Sequence, residues 1–159
     1  NALDASDLGS AIATGLGVSG ITLRYNQPLL AGGIYASAND YSAILRAVLT
    51  GQLYMRDALG THAVCAWTGS GCNAANSPQF REHWHYSIGH WVEDDASQGD
   101  DGAFSSAGAF GFYPWIASSK KYYGVISRHA PSGTGDQNGF ASAKCGRQLR
   151  AAWESGVQQ

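Results

Sequence analysis

Apolar residues recur at helical spacing in one stretch above all others. Tyr41, Ile44, Leu45, Val48 and Leu49 stand at i, i+3, i+4, i+7 and i+8, which predicts one buried stripe on a helix over 38–50. Ser37 followed by Asp40 reads as a capping box at its start. Gly51 suits the position just past its end. Further on the period changes. In REHWHYSIGHWVE, Trp84, Tyr86 and Ile88 alternate with His83, His85 and Ser87, predicting a strand with an aromatic face. GAFGFYPWI and YYGVISR read as two more strands, and the polar segment Ala117 to Lys121 joins them into a hairpin. A last helix over 139–153 sets Ala141, Cys145, Leu149 and Trp153 on one side. Residues 1–20 look irregular, with a weak helical pattern around Leu8, Ile12 and Leu16. Residues 60–80 read as a long loop, EDDASQGDDG as a solvated acidic turn and PSGTGDQNG as a loop.

The order helix, three strands, helix predicts an α+β fold, an antiparallel sheet flanked by helices. No repeat and no long linker interrupts it. A self-contained domain needs more strands to cover these aromatic faces, so residues 1–159 are expected to be one portion of a domain. The start at Asn1 rather than Met agrees with a processed chain.

Composition narrows the function classes. Charged residues make up 14 %, against about 25 % in ordinary soluble domains, and there are 21 glycines. That balance points to a turn-rich extracytoplasmic protein rather than a helical bundle. The net charge is −2 and the lysines are Lys120, Lys121 and Lys144. With no basic stripe to neutralise phosphates, nucleic acid is excluded as a partner. No apolar run approaches the roughly 18 residues of a membrane span, and no signal peptide is visible.

Cys65 and Cys72 lie in the Gly-, Ser- and Asn-rich stretch AVCAWTGSGCNAA, where a small disulfide ring is favoured over a metal pair or two free thiols. Cys145 is left over, either buried and inert or paired outside this chain. His83 and His85 share a strand face, but neither they nor His90 bring a third ligand at metal spacing, so no metal site is assigned. Asp94, Asp95, Asp100 and Asp101 lack the order and closing Glu of a calcium loop.

The succession LLAGGIYASANDYSAILRAVLTG, WHYSIGHWVE, FSSAGAFGFYPWI and KKYYGVISR, covering roughly 25–128, resembles the C-terminal half of the serine β-lactamase, penicillin-binding-protein and family VIII esterase group. The resemblance implies a β-lactamase/transpeptidase-like fold and acyl-enzyme chemistry. It places Ser106-Ala107-Gly108 at the third motif, which the family carries on an edge strand as K-T-G or H-S/T-G. Gly108 would then let substrate approach the backbone. The Ala109 N–H would donate to the oxyanion, paired with the N–H of the nucleophile. Asn26-Gln27-Pro28 would belong to a loop rimming the site, with Gly32 and Gly33 leaving space beside it; a simple surface turn is the alternative for this stretch. Ser106 and Ala107 depart from the family pattern and remove groups that bind a carboxylate or shuttle protons. That favours an uncharged ester or amide.

The one S-x-x-K string, Ser118 to Lys121, lies between two predicted strands rather than at a helix start, so it is read as a hairpin tip with solvated lysines. No Y-x-N motif stands at the family's position, and no G-x-S-x-G elbow occurs. The expected function is therefore part of a secreted or periplasmic serine hydrolase. The nucleophilic Ser, its Lys and a Tyr would come from an N-terminal chain of the same precursor. No cofactor is implied. The rival expectation is a non-catalytic cell-envelope or binding module that keeps the fold.

Overall fold

The computed structural model describes residues 4–29, 32–69, 71–74, 82–132 and 135–158. The chain runs through α1 (Ala5–Leu16), β1 (Arg24–Tyr25), β2 (Ile34–Tyr35), α2 (Ala38–Leu49), a short α3 (Met55–Ala58), β3 (Val64–Cys65), β4 (Thr68–Gly69) and β5 (Cys72–Asn73). It continues through β6 (His85–Ser87), β7 (His90–Glu93), β8 (Ala103–Ser105), β9 (Tyr113–Ile116), β10 (Tyr123–Ile126) and α4 (Gly135–Ser155). Six strands pair in the order β10-β9-β8-β7-β6-β3, antiparallel throughout. The fold is α+β, with helices on both faces of an antiparallel sheet.

Strand alternation sorts the core into two layers. On one face α2 packs Leu45 and Val48 against Leu59 and Ile116, flanked by Phe104, Tyr123 and Val125. On the other, Trp84, Tyr113 and Trp115 close on Ala143 of α4, flanked by Trp91, Ala107, Ile126 and Phe140. The predicted stripe of α2 is the buried one. Its capping box is formed: Asp40 N–H donates to Ser37 Oγ at 3.1 Å, and Asp40 Oδ2 accepts from the Ser37 N–H at 3.4 Å. Such a cap stabilises a helix by about 1 kcal/mol. Gly51 follows the cap residue Thr50 with φ +77°.

Several expectations need correction. The start of the chain is not irregular but the helix α1, and its apolar signal is weak because backbone makes the contact. A Cβ on Gly9 would stand 1.9 Å from Leu23 O. Residues 83–93 are a hairpin rather than one strand. Ser87 and His90 are the last pair, and Gly89 supplies the positive φ of +74° that a two-residue turn needs. Of the expected 60–80 loop, β3 joins the main sheet and β4–β5 forms a hairpin, while residues 70 and 75–80 lie outside the described ones.

The acidic turn is not solvated as a whole. Asp95 is 8 % exposed and accepts from the His83 N–H at 2.8 Å and Ser97 Oγ at 2.6 Å. The Asp100 side chain is wholly buried, takes a bond from Trp84 Nε1 at 2.6 Å and meets Arg147. Lys121 is exposed as expected, but Lys120 is half-buried, its Nζ donating to Arg56 O at 3.1 Å and Leu59 O at 3.4 Å.

In α4, the predicted apolar stripe of Ala141, Cys145, Leu149 and Trp153 is exposed, so Cys145 is not buried. The buried side consists of Asn138, Ser142, Ala143, Gly146 and Arg150. Close approach explains this: a Cβ on Gly146 would lie 2.2 Å from the Tyr113 ring. Only the smallest residues admit that spacing.

Candidate functional site

The site is built on the continuation of β8. The β6–β7 hairpin turns at Ile88 and Gly89, so the β7–β8 ladder ends at Trp91 and Ser105. Past that point the chain stays bonded on its β9 side alone. Ser106 N–H donates to Pro114 O at 3.1 Å and Gly108 N–H to Phe112 O at 2.9 Å. A turn then closes with Gly111 N–H on Gly108 O at 2.8 Å, where Gly111 takes φ +92°. Extended backbone alternates its donors between two edges. The Ala107 N–H therefore faces away from β9. The Ala109 N–H, at the second position of the turn, meets no backbone acceptor among the described residues. β8 itself is an interior strand, but its extension through 106–109 has no strand partner on its other side among the described residues.

Support comes from α4. A Cβ on Gly139 would lie 3.0 Å from Gly108 O and 3.2 Å from Ala107 O, so the helix backs directly onto this segment. Ser142 Oγ donates to Gly111 O at 2.7 Å, and the Ala130 N–H donates to Phe110 O at 2.8 Å. Asn138 Nδ2 in turn donates to Ala130 O at 2.9 Å, tying the 130 loop to the same helix.

In front of the segment opens a cleft of about 560 Å³, a size ordinary for small-molecule sites. Ser106, Ala107, Gly108 and Ala109 form one wall. Tyr86 and Trp91 form another, their rings edge to face with centroids 4.7 Å apart. Val64, Cys65 and Ala66 of the β3 region close the far side. No Asp, Glu, Lys, Arg or His lines it among the described residues. The Cys65–Cys72 disulfide is formed, with Cα atoms 6.0 Å apart, and it anchors this far wall to the β4–β5 hairpin. Trp67, between the cysteines, stacks on His83 at 5.0 Å and meets the edge of His85 at 5.2 Å.

The structure thus brings together Ser106, Ala107, Gly108, Ala109 and Cys65. Asn26 and Gly32 do not line this cleft. They sit in the β1–β2 connection, where Asn26 N–H donates to Gly33 O at 3.1 Å. A chain of rings links that hairpin to the turn after β8, with Tyr35 and Phe110 both edge-on to His129 at 6.3 and 5.5 Å. The histidines have structural partners. His85 Nδ1 faces Asp94 at 2.8 Å. His90 is buried; its Nε2 accepts from the Gly60 N–H at 3.0 Å, so Nδ1 carries the proton donated to Ile88 O. Burial, with Lys120 adding to it, holds the His90 pKa below its ordinary value despite the Ile88 bond. Ser118 to Lys121 form a hairpin turn between β9 and β10, Lys120 N–H bonding back to Ala117 O at 2.8 Å.

Sequence reasoning did not name Trp91 or Val64 as site residues, nor Tyr86 beyond its place on an aromatic face. What would have found them is the hairpin at Gly89, which sets Tyr86 and Trp91 opposite each other. The chain matches no family model, no curated protein and no solved structure. Among the described residues no helix is long and apolar enough to cross a membrane.

Proposed function

We propose that this chain is part of a secreted serine hydrolase that acts on uncharged esters or amides through an acyl-enzyme. One observation carries the reading: the backbone of 106–109, whose Ala107 and Ala109 N–H groups meet no backbone acceptor among the described residues, borders a cleft with no charged side chain among its described lining residues. In acyl transfer a seryl Oγ gives its proton to the Lys and Tyr beside it and bonds to the carbonyl carbon, the C=O π pair moving onto oxygen; that proton later goes to the leaving group. Two N–H donors aimed at that oxygen hold the charge. Collapse of the tetrahedral species expels the alcohol or amine, which takes up a proton. Water repeats the sequence on the acyl-enzyme. This chain contributes the Ala109 donor, the close approach at Gly108 and the cleft walls. Ser106 and Ala107 bring no charge for a substrate carboxylate, which supports a neutral substrate. The nucleophile, its Lys and its Tyr belong to a segment outside residues 1–159, because the chain's S-x-x-K string is a hairpin turn. The disulfide is compatible with an oxidising compartment.

A non-catalytic binding module is the second reading, favoured by the same replacement of proton-handling groups at 106 and 107. A serine-reactive phosphonate probe separates the two. Applied to the assembled protein and mapped by peptide mass spectrometry, it should label a serine of an S-x-x-K helix outside this chain. Label on Ser118 or Ser106 would overturn the assignment of roles. No label at all would leave the binding module.

A further inference from the structure

We infer that the cleft selects an aromatic acyl group, so that the substrates are esters or amides of neutral aryl or arylalkyl acids. The inference rests on the hydrolase reading and specifies its substrate class. The Ala109 N–H, the oxyanion donor proposed for this chain, puts the carbonyl oxygen at the 106–109 wall of the cleft. The large side chains of the cleft lining are the edge-to-face pair Tyr86 and Trp91, which share one face of the sheet through the register Tyr86↔Trp91 and Trp91↔Ser105. An acyl group that fills the cleft therefore has aromatic surface to pack on. Tyr86 is 39 % exposed and has ring area to offer. An aryl ring there completes a cluster of the kind that favours edge or offset packing. The remaining wall, Val64, Cys65 and Ala66, is apolar or weakly polar, and no described lining side chain carries a charge to pair with a carboxylate or an ammonium. A volume of about 560 Å³ leaves room for a ring and its linker.

Two measurements test this and fail independently. In the assembled hydrolase, kcat/KM for p-nitrophenyl phenylacetate is compared with that for p-nitrophenyl acetate. Tyr86→Ala should lower the ratio of the phenylacetate to the acetate value by about three- to tenfold, the range an aromatic contact is worth. Trp91→Leu should act in the same direction; because Trp91 also borders the core, Tyr86→Ala is the deciding variant. Turnover of both esters with no selective effect of Tyr86→Ala would overturn the aromatic pocket and leave the hydrolase standing. Absence of turnover of either ester would overturn the hydrolase. In that event the pocket is still read by amide NMR of this chain titrated with phenylacetamide and, separately, phenylacetate. Shifts at Trp91 and at the Ala107 and Ala109 amides with the neutral compound alone support the inference. No shift, or equal shifts with the anion, overturns it.

Discussion

Arg150 meets Glu93 at 2.7 Å with both side chains wholly withdrawn from solvent. The pair is embedded: Tyr113 Oη donates to Glu93 at 2.6 Å, Arg150 donates to Tyr113 Oη at 2.7 Å, and Asp101 takes the Arg150 Nε at 2.5 Å. Burial pushes the Glu93 carboxyl up, and Arg150, Ser105 and Tyr113 pull it back. This network joins α4 to β7 and β9, directly behind the strand that carries the site.

Removing one partner of such a pair strands the other charge in the core. Arg150→Met should therefore destabilise the chain by about 3–5 kcal/mol. Arg150→Met combined with Glu93→Leu should recover part of that loss, since the only carboxylate then left without Arg150 is Asp101, which is 31 % exposed and can be hydrated. Urea titrations of the three proteins read this directly. An Arg150→Met variant as stable as the parent would mean the pair is not buried in solution.

How far the sequence reveals this fold depends on what fills each contact. The α2 helix is legible because its buried side is built from Tyr41, Ile44, Leu45, Val48 and Leu49, residues that betray a period. The α4 helix misleads for the opposite reason. Its buried side is Ser142, Ala143, Gly146 and an ion-paired Arg150, so the apolar residues Leu149 and Trp153 trace the exposed side instead. The aspartates of the acidic turn read as solvated because a single sequence does not show that Trp84 and Arg147 come to Asp100. In the candidate site, 106–109 is visible as a small-residue segment, but its lack of a second strand partner among the described residues follows from where the β6–β7 hairpin ends. That depends on long-range pairing.

The close approach of α4 gives a second test. Gly146→Ala places a methyl inside the contact distance of the Tyr113 ring. Tyr113 is fully buried and held by Glu93 and Arg150, so it has little freedom to yield. Overpacking of this kind costs about 1–3 kcal/mol. Thermal unfolding should show a lower Tm for Gly146→Ala, whereas Ala141→Ser, on the exposed side, should leave it nearly unchanged.

Reduction of Cys65–Cys72 removes a short ring of sequence separation 7. Loop-entropy arithmetic puts its stabilisation at about 2–3 kcal/mol. Denatured, unreduced protein should titrate one thiol, Cys145, with a thiol reagent; three would refute the bridge. The Cys65→Ala/Cys72→Ala variant should unfold at lower denaturant, and its cleft should lose definition at the Val64 wall.

His90 sets a pH dependence. Its folded pKa lies below the unfolded value of 6.5, so the unfolded chain binds the proton more readily. The stabilisation is complete above pH 6.5 and declines as pH falls from there towards the folded pKa. Protonation of Nε2 would also end its acceptance of the Gly60 N–H. Unfolding free energies between about pH 5 and 7 should fall with acid in the parent and less steeply in His90→Gln, which keeps a neutral acceptor. Identical slopes would refute the assignment.

The mechanistic reading turns on one backbone atom. The Ala109 N–H is the proposed oxyanion donor, and a side-chain change there leaves it in place, whereas proline deletes it. The structure makes that exchange unusually clean. Ala109 occupies the second position of the Gly108–Gly111 turn and has a negative φ. Proline's fixed φ suits that position. Ala109→Pro should therefore fold with little loss, as circular dichroism and Tm would report. The same variant of the assembled hydrolase should lose about 10²–10³-fold in kcat, the usual effect of removing one oxyanion donor. Ala109→Ser should keep most of the activity. Ser106→Ala should cost far less than the proline, because Ser106 is given no proton to move. A folded Ala109→Pro variant with normal turnover would show that the oxyanion lies elsewhere. A folded but inactive Ser106→Ala variant would make Ser106 a catalytic residue and remove the basis for an uncharged, proton-free wall.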